Sequence, residues 1–137
     1  MENGKGVLTI KGASPDGGLS RPEWELDLAL GQAEEIISQL NLTAMHKTRH
    51  IVQHLQDFWE VDVLKVNSVA GRAPFIWKYL VLAEFEHQDP EKVKSVTLPP
   101  WVGREVTGDP QFAMSNLVDE NQRVLAWQAA YAPAKSR

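Results

Sequence analysis

The sequence predicts a mainly β chain of the α+β class. Five short segments alternate polar and apolar residues with period two, which is the pattern of half-buried strands. One other repeats its apolar residues as an amphipathic helix does, and the end of the chain has a helix-favouring composition. The segments between them are rich in Gly and Pro, as in the run Gly12-Ala13-Ser14-Pro15-Asp16-Gly17-Gly18. A length of 137 residues fits a single domain over 1–137, with a core that needs no covalent staple.

The expected strands are residues 7–11, 23–28, 46–52, 58–64 and 80–86. In the first, Val7, Thr9 and Lys11 share one face and Leu8 and Ile10 the other. In the second, Glu23, Glu25 and Asp27 oppose Trp24, Leu26 and Leu28. The third places Lys47, Arg49 and Ile51 together. The fourth sets Glu60 and Asp62 against Trp59, Val61 and Val63, and the fifth sets Glu84 and Glu86 against Val81, Ala83 and Phe85. Ala33, Ile36, Ile37 and Leu40 predict a helix over 31–40. The Ala-, Gln- and Leu-rich end predicts another over 119–131, with Asp119 as its cap and 132–137 as a loose tail. Pro99, Pro100, Gly103, Gly108 and Pro110 predict irregular chain after the last strand.

Composition removes several function classes. There is no Cys, so disulfides and thiolate metal sites are excluded. A metal would need carboxylates, carbonyls or His, which favours hard ions such as Mg²⁺ or Mn²⁺. The net charge of −4 argues against general nucleic-acid binding. No apolar run approaches the length of a membrane span, and the first six residues have no apolar signal region. The expectation is a cytoplasmic protein with no nucleic-acid or membrane partner.

The charges are sorted by strand. Three strands carry acids in i, i+2 spacing and two carry bases. If these faces point the same way, the sheet has a wall of seven acids and three bases. Crowded carboxylates repel one another, so such a wall shares protons or binds a cation. The plainer alternative is a solvated sheet face, and the pattern alone leaves both open. His46, His50 and His54 are four apart, but a strand followed by a turn scatters them, so they fit surface positions better than a metal site. The run from Gly103 to Gly108 lacks the Gly-Lys-Ser/Thr ending of a phosphate loop, and Ser115 has no His/Asp arrangement for nucleophilic catalysis.

The ordered motifs resemble the CYTH domain, the triphosphate tunnel metalloenzyme superfamily. Leu8-Thr9-Ile10-Lys11-Gly12 followed by Arg21-Pro22-Glu23-Trp24-Glu25 looks like the family's lysine strand and R-x-E-x-E strand. Lys47-Thr48-Arg49 resembles its K-x-R strand. Trp59-Glu60-Val61-Asp62-Val63 is similar to its W-E-V-D-V strand, and Leu82-Ala83-Glu84-Phe85-Glu86 to its L-A-E-x-E strand. Residues 101–110, with Ser115-Asn116-Leu117, resemble the stretch that follows.

The resemblance implies an antiparallel, CYTH-like β-barrel or curved sheet, partly open here, with flanking helices. It implies binding of inorganic triphosphate or a triphosphate-bearing metabolite with Mg²⁺ or Mn²⁺, and an activity such as triphosphatase or adenylate cyclase. Lys11, Arg21, Lys47 and Arg49 would bind substrate. Glu84, Glu86, Glu23 and Glu25 would hold metal. Lys47, Glu60 and Asp62 would serve the chemistry, the acids as ligands or orienting groups. The family's E-x-E-x-K strand and a later R-x-R pair are absent from these residues. A truncated member with unpaired sheet edges is therefore expected, and with it a rival function, a non-catalytic module binding polyphosphate or protein. Residues 66–79 read as an insertion with an apolar tip at Phe75, Ile76 and Trp77. The tip and the open edges predict a homodimer.

Overall fold

The structure, a computed structural model, describes residues 4–15, 17, 21–66 and 78–131. The apolar tip expected at Phe75–Trp77 and the tail 132–137 lie outside the described residues. The described strands form two antiparallel sheets, one of two strands and one of three, with helices beside them, and no closed barrel. The chain divides into two compact units, residues 1–44 and 45–137. No helix among the described residues is long and apolar enough to cross a membrane.

The first unit is a β-ribbon with one helix. Strand β1 (Lys5–Lys11) pairs with β2 (Glu23–Ala29) so that Lys11 lies opposite Glu23, Thr9 opposite Glu25 and Val7 opposite Asp27. The second face carries Leu8, Ile10, Trp24 and Leu26, all exposed by about 39–56%. Helix α1 (Leu30–Gln39) follows β2 directly, and Gln32 Oε1 accepts from the Ala29 amide at its start. Gly6 lets this helix approach β1, because a Cβ on Gly6 would lie 2.7 Å from Ala33 Cβ. The helix ends in a Schellman motif, with Asn41 at φ 50° and the Leu42 amide donating to the Ile37 carbonyl.

The second unit is built on the sheet β3 (Lys47–His54), β4 (Asp57–Val66) and β5 (Lys78–Glu84), in that order. Helix α2 (Pro90–Ser95), a 3-10 turn (Pro110–Phe112), α3 (Met114–Leu117) and α4 (Glu120–Tyr131) follow. The expected irregular stretch thus contains short helices. Asp89 caps α2 with Pro90 in its first turn, and Asp109 caps the 3-10 turn ahead of Pro110. Asp119 caps α4 as expected, its Oδ1 accepting from the Gln122 amide at 3.0 Å.

Burial changes sides along β4. Near its start Trp59 is buried against Phe85 and Trp101, with ring centroids 5.4 and 6.2 Å away. Farther on, Asp62, Leu64 and Val66 are buried on the opposite face. There Leu64, Val66 and Leu80 form the main core with Phe112, Leu117 and Ala126. The pattern of 58–64 suggests a core behind the charged face. Instead the largest core lies on the charged face itself, because the even positions turn apolar beyond Asp62. Arg123 ties the helices together, its Nη1 donating to the Leu117 and Val118 carbonyls at 2.9 and 2.8 Å.

Candidate functional site

The hairpin register of the three-stranded sheet decides which charges meet. Arg49 on β3 lies opposite Asp62 on β4, and Glu60 on β4 lies opposite Glu84 on β5. Directly paired residues of an antiparallel sheet share a face. Lys47, Arg49, Asp62, Glu60 and Glu84 therefore stand on the face that carries Leu64 and Leu80. Glu86 follows two residues past the end of β5.

Asp62 is the centre of a cation clamp. Arg49 Nε donates to Asp62 Oδ1 at 2.7 Å and Arg49 Nη2 to Oδ2 at 2.9 Å. Lys47 Nζ reaches Oδ2 at 3.1 Å. The Asp62 side chain is 3% exposed, and those of Lys47 and Arg49 are each 33% exposed. Burial pushes the Asp62 carboxyl up, but the hydrogen bonds and charges of Arg49 and Lys47 outweigh it and hold it below the ordinary value. The hydrogen bond to Asp62 raises Arg49 against the opposing effect of burial, and the charges of Asp62, Glu60 and Glu84 add to it. Asp62 is thus a fixed anion, and the bidentate geometry orients the guanidinium.

Beside the clamp lies a group of acids. One carboxylate oxygen each from Glu60, Glu84 and Glu86 lie within 4.8 Å of one another. That span is within twice a Ca²⁺–oxygen distance and somewhat wider than twice a Mg²⁺–oxygen distance, so a small turn of the side chains would bring all three oxygens onto one hard cation. The donors are all hard oxygens, which suits Mg²⁺ or Mn²⁺. Glu60 also joins the two groups, since Arg49 Nη1 contacts its Oε2 at 3.1 Å.

The remaining expected site residues belong to the first unit. Lys11 Nζ pairs with Glu23 Oε1 at 3.7 Å, both partly exposed. Glu25 lies opposite Thr9, and Arg21 precedes β2 in an exposed position. The structure therefore brings together Lys47, Arg49, Glu60, Asp62, Glu84 and Glu86 in the second unit, and Lys11 with Glu23 in the first. The company Glu60 keeps with Glu84 and Glu86 is set by register alone, which no local pattern reports.

A protein named inorganic triphosphatase, from Acetivibrio thermocellus, is 39% identical over 117 residues, which cover 85% of this chain and 67% of that protein. The chain belongs to the inorganic triphosphatase family. A span of that length within 137 residues includes residues 21–117 wherever it starts, so the clamp and the acid group both fall inside the family match. The chain spans about two thirds of that family member's length. No family model matches the chain, and no solved structure matches it.

Proposed function

We propose that this family member is of the CYTH type. It binds inorganic triphosphate or a triphosphate-bearing metabolite together with Mg²⁺ or Mn²⁺, and it hydrolyses the anhydride. The observation that supports this most directly is a buried anion holding two cations next to three clustered carboxylates. A triphosphate with its counter-cation presents the complementary pattern, anionic oxygens beside a divalent ion.

Lys47 Nζ and Arg49 would bind phosphate oxygens and neutralise charge that develops on the transferred phosphoryl group. Asp62 is buried and doubly paired, which makes it a poor proton acceptor. Its proposed role is to orient Lys47 and Arg49. Glu60, Glu84 and Glu86 would hold the metal, which when bound supplies charge neutralisation and Lewis acidity. Attack of water on the terminal phosphorus breaks its bond to the bridging oxygen and releases phosphate and diphosphate. The substrate and metal roles of Lys11, Arg21, Glu23 and Glu25 rest on the family pattern, and single substitutions at each test them.

The deciding assay is phosphate release from tripolyphosphate with Mg²⁺ or Mn²⁺. Wild type should release phosphate, and Arg49→Ala or Glu84→Gln should lower kcat by about a hundredfold or more. Binding by calorimetry without release would support the non-catalytic polyphosphate module. Neither release nor binding would leave a solvated charged face.

A further inference from the structure

Arg49 makes three contacts with two different acids. Its Nε and Nη2 are held by Asp62 at 2.7 and 2.9 Å, and its Nη1 lies 3.1 Å from Glu60 Oε2. The two acids differ in setting. Asp62 is 3% exposed and has Lys47 as a second partner. Glu60 is 28% exposed and shares its surroundings with Glu84, directly opposite in the ladder, and with Glu86. Like charges opposite each other in a ladder repel. Arg49 Nη1 is therefore the counter-ion that stabilises Glu60 in this arrangement. A divalent cation in the acid group would compete with Nη1 for the same carboxylate.

We propose that Arg49 couples cation binding to phosphate binding through Glu60. With neither ligand bound, Nη1 rests on Glu60. When Glu60 turns to a divalent cation, Nη1 loses that partner while Nε and Nη2 stay anchored on Asp62. The guanidinium keeps its plane and offers one free edge to a phosphate oxygen. Cation and phosphate then each favour the binding of the other, by the same factor in both directions. Without phosphate, Arg49 and the cation are antagonists at Glu60. This rests on the metal reading given under the proposed function, and two substitutions separate the two.

The test is calorimetric titration of the full chain with Mn²⁺, with and without saturating sulfate as a tetrahedral dianion. Urea unfolding of each variant confirms that it folds. Arg49→Lys keeps the positive charge but cannot hold both acids. The Arg49–Glu60 contact is partly exposed, so losing it should tighten Mn²⁺ in the absence of sulfate by about two- to fivefold. Sulfate should tighten Mn²⁺ in wild type and have a clearly smaller effect in Arg49→Lys. Glu60→Gln should weaken Mn²⁺ by about tenfold or more. If Glu60→Gln weakens Mn²⁺ while Arg49→Lys leaves it unchanged or weaker, the coupling is overturned and the metal reading stands. Equal sulfate effects in wild type and Arg49→Lys also overturn the coupling. If wild type binds no Mn²⁺, or Glu60→Gln does not alter its affinity, both fall.

Discussion

Replacing Asp62 by Asn removes one negative charge and keeps the side-chain shape. Removing one partner of a buried ion pair costs about 3–5 kcal/mol, because the other is left uncompensated. Here the stranded partners are Lys47 and Arg49, each 33% exposed. Water recovers part of their charge, and the amide oxygen still accepts one bond. The expected loss at neutral pH is therefore smaller, about 2–3 kcal/mol. The folded-state pKa of Asp62 lies below its ordinary value. A group depressed in this way stabilises the fold above its unfolded pKa of about 4, and the contribution is lost as pH falls through the folded value. Urea unfolding of wild type and Asp62→Asn should thus show a gap at pH 7 that narrows steadily below about pH 4. A gap under about 0.5 kcal/mol at pH 7, the ordinary range for a surface change, would refute the buried-anion account. So would a gap that does not depend on pH.

Four substitutions test the packing and the backbone, and one measurement on the unchanged chain tests the assembly. Leu64 has no exposed surface in the main core, so Leu64→Ala should cost about 3–5 kcal/mol in urea unfolding. Gly6→Ala places a methyl 2.7 Å from Ala33 Cβ and should destabilise the first unit by about 1–3 kcal/mol, read from the α1 helix signal. Leu55 sits in the β3–β4 turn at φ 56° and is 65% exposed, so Leu55→Gly should raise stability by up to about 1 kcal/mol in a thermal melt, and Leu55→Val should lower it. The homodimer expected from the open sheet edges and the apolar tip remains a proposal; light scattering at micromolar concentration should show a dimer, and a monomer at every concentration would refute it.

Much of the secondary structure was legible because its causes are local. The alternation in Glu23-Trp24-Glu25-Leu26 and in Trp59-Glu60-Val61-Asp62 fixes which residues share a face, whatever the strand pairs with. The helices expected at 31–40 and 119–131 appear as Leu30–Gln39 and Glu120–Tyr131. Their signals lie within one turn, as in Asp119, which caps the second. The short helices after β5 were equally local. Asp89-Pro90 and Asp109-Pro110 each pair a cap with a Pro suited to a first turn, a signal that the surrounding Pro and Gly residues obscured.

The sequence by itself determined that acids and bases stand on particular strand faces, that thiolate chemistry is excluded, and that any metal would be held by carboxylates, carbonyls or His. Only the tertiary structure decided which of these charges meet. Asp62 became a buried anion, rather than one more solvated carboxylate, because hairpin register set Arg49 opposite it and the core around Leu64 and Leu80 closed beside it. Glu60 joined Glu84 and Glu86 because β4 pairs with β5 in one register, across a separation in sequence that no local periodicity spans. Alternation follows from the geometry of a single strand. Register follows from turns and from packing between strands, and so the site's geometry is written in contacts distant along the chain.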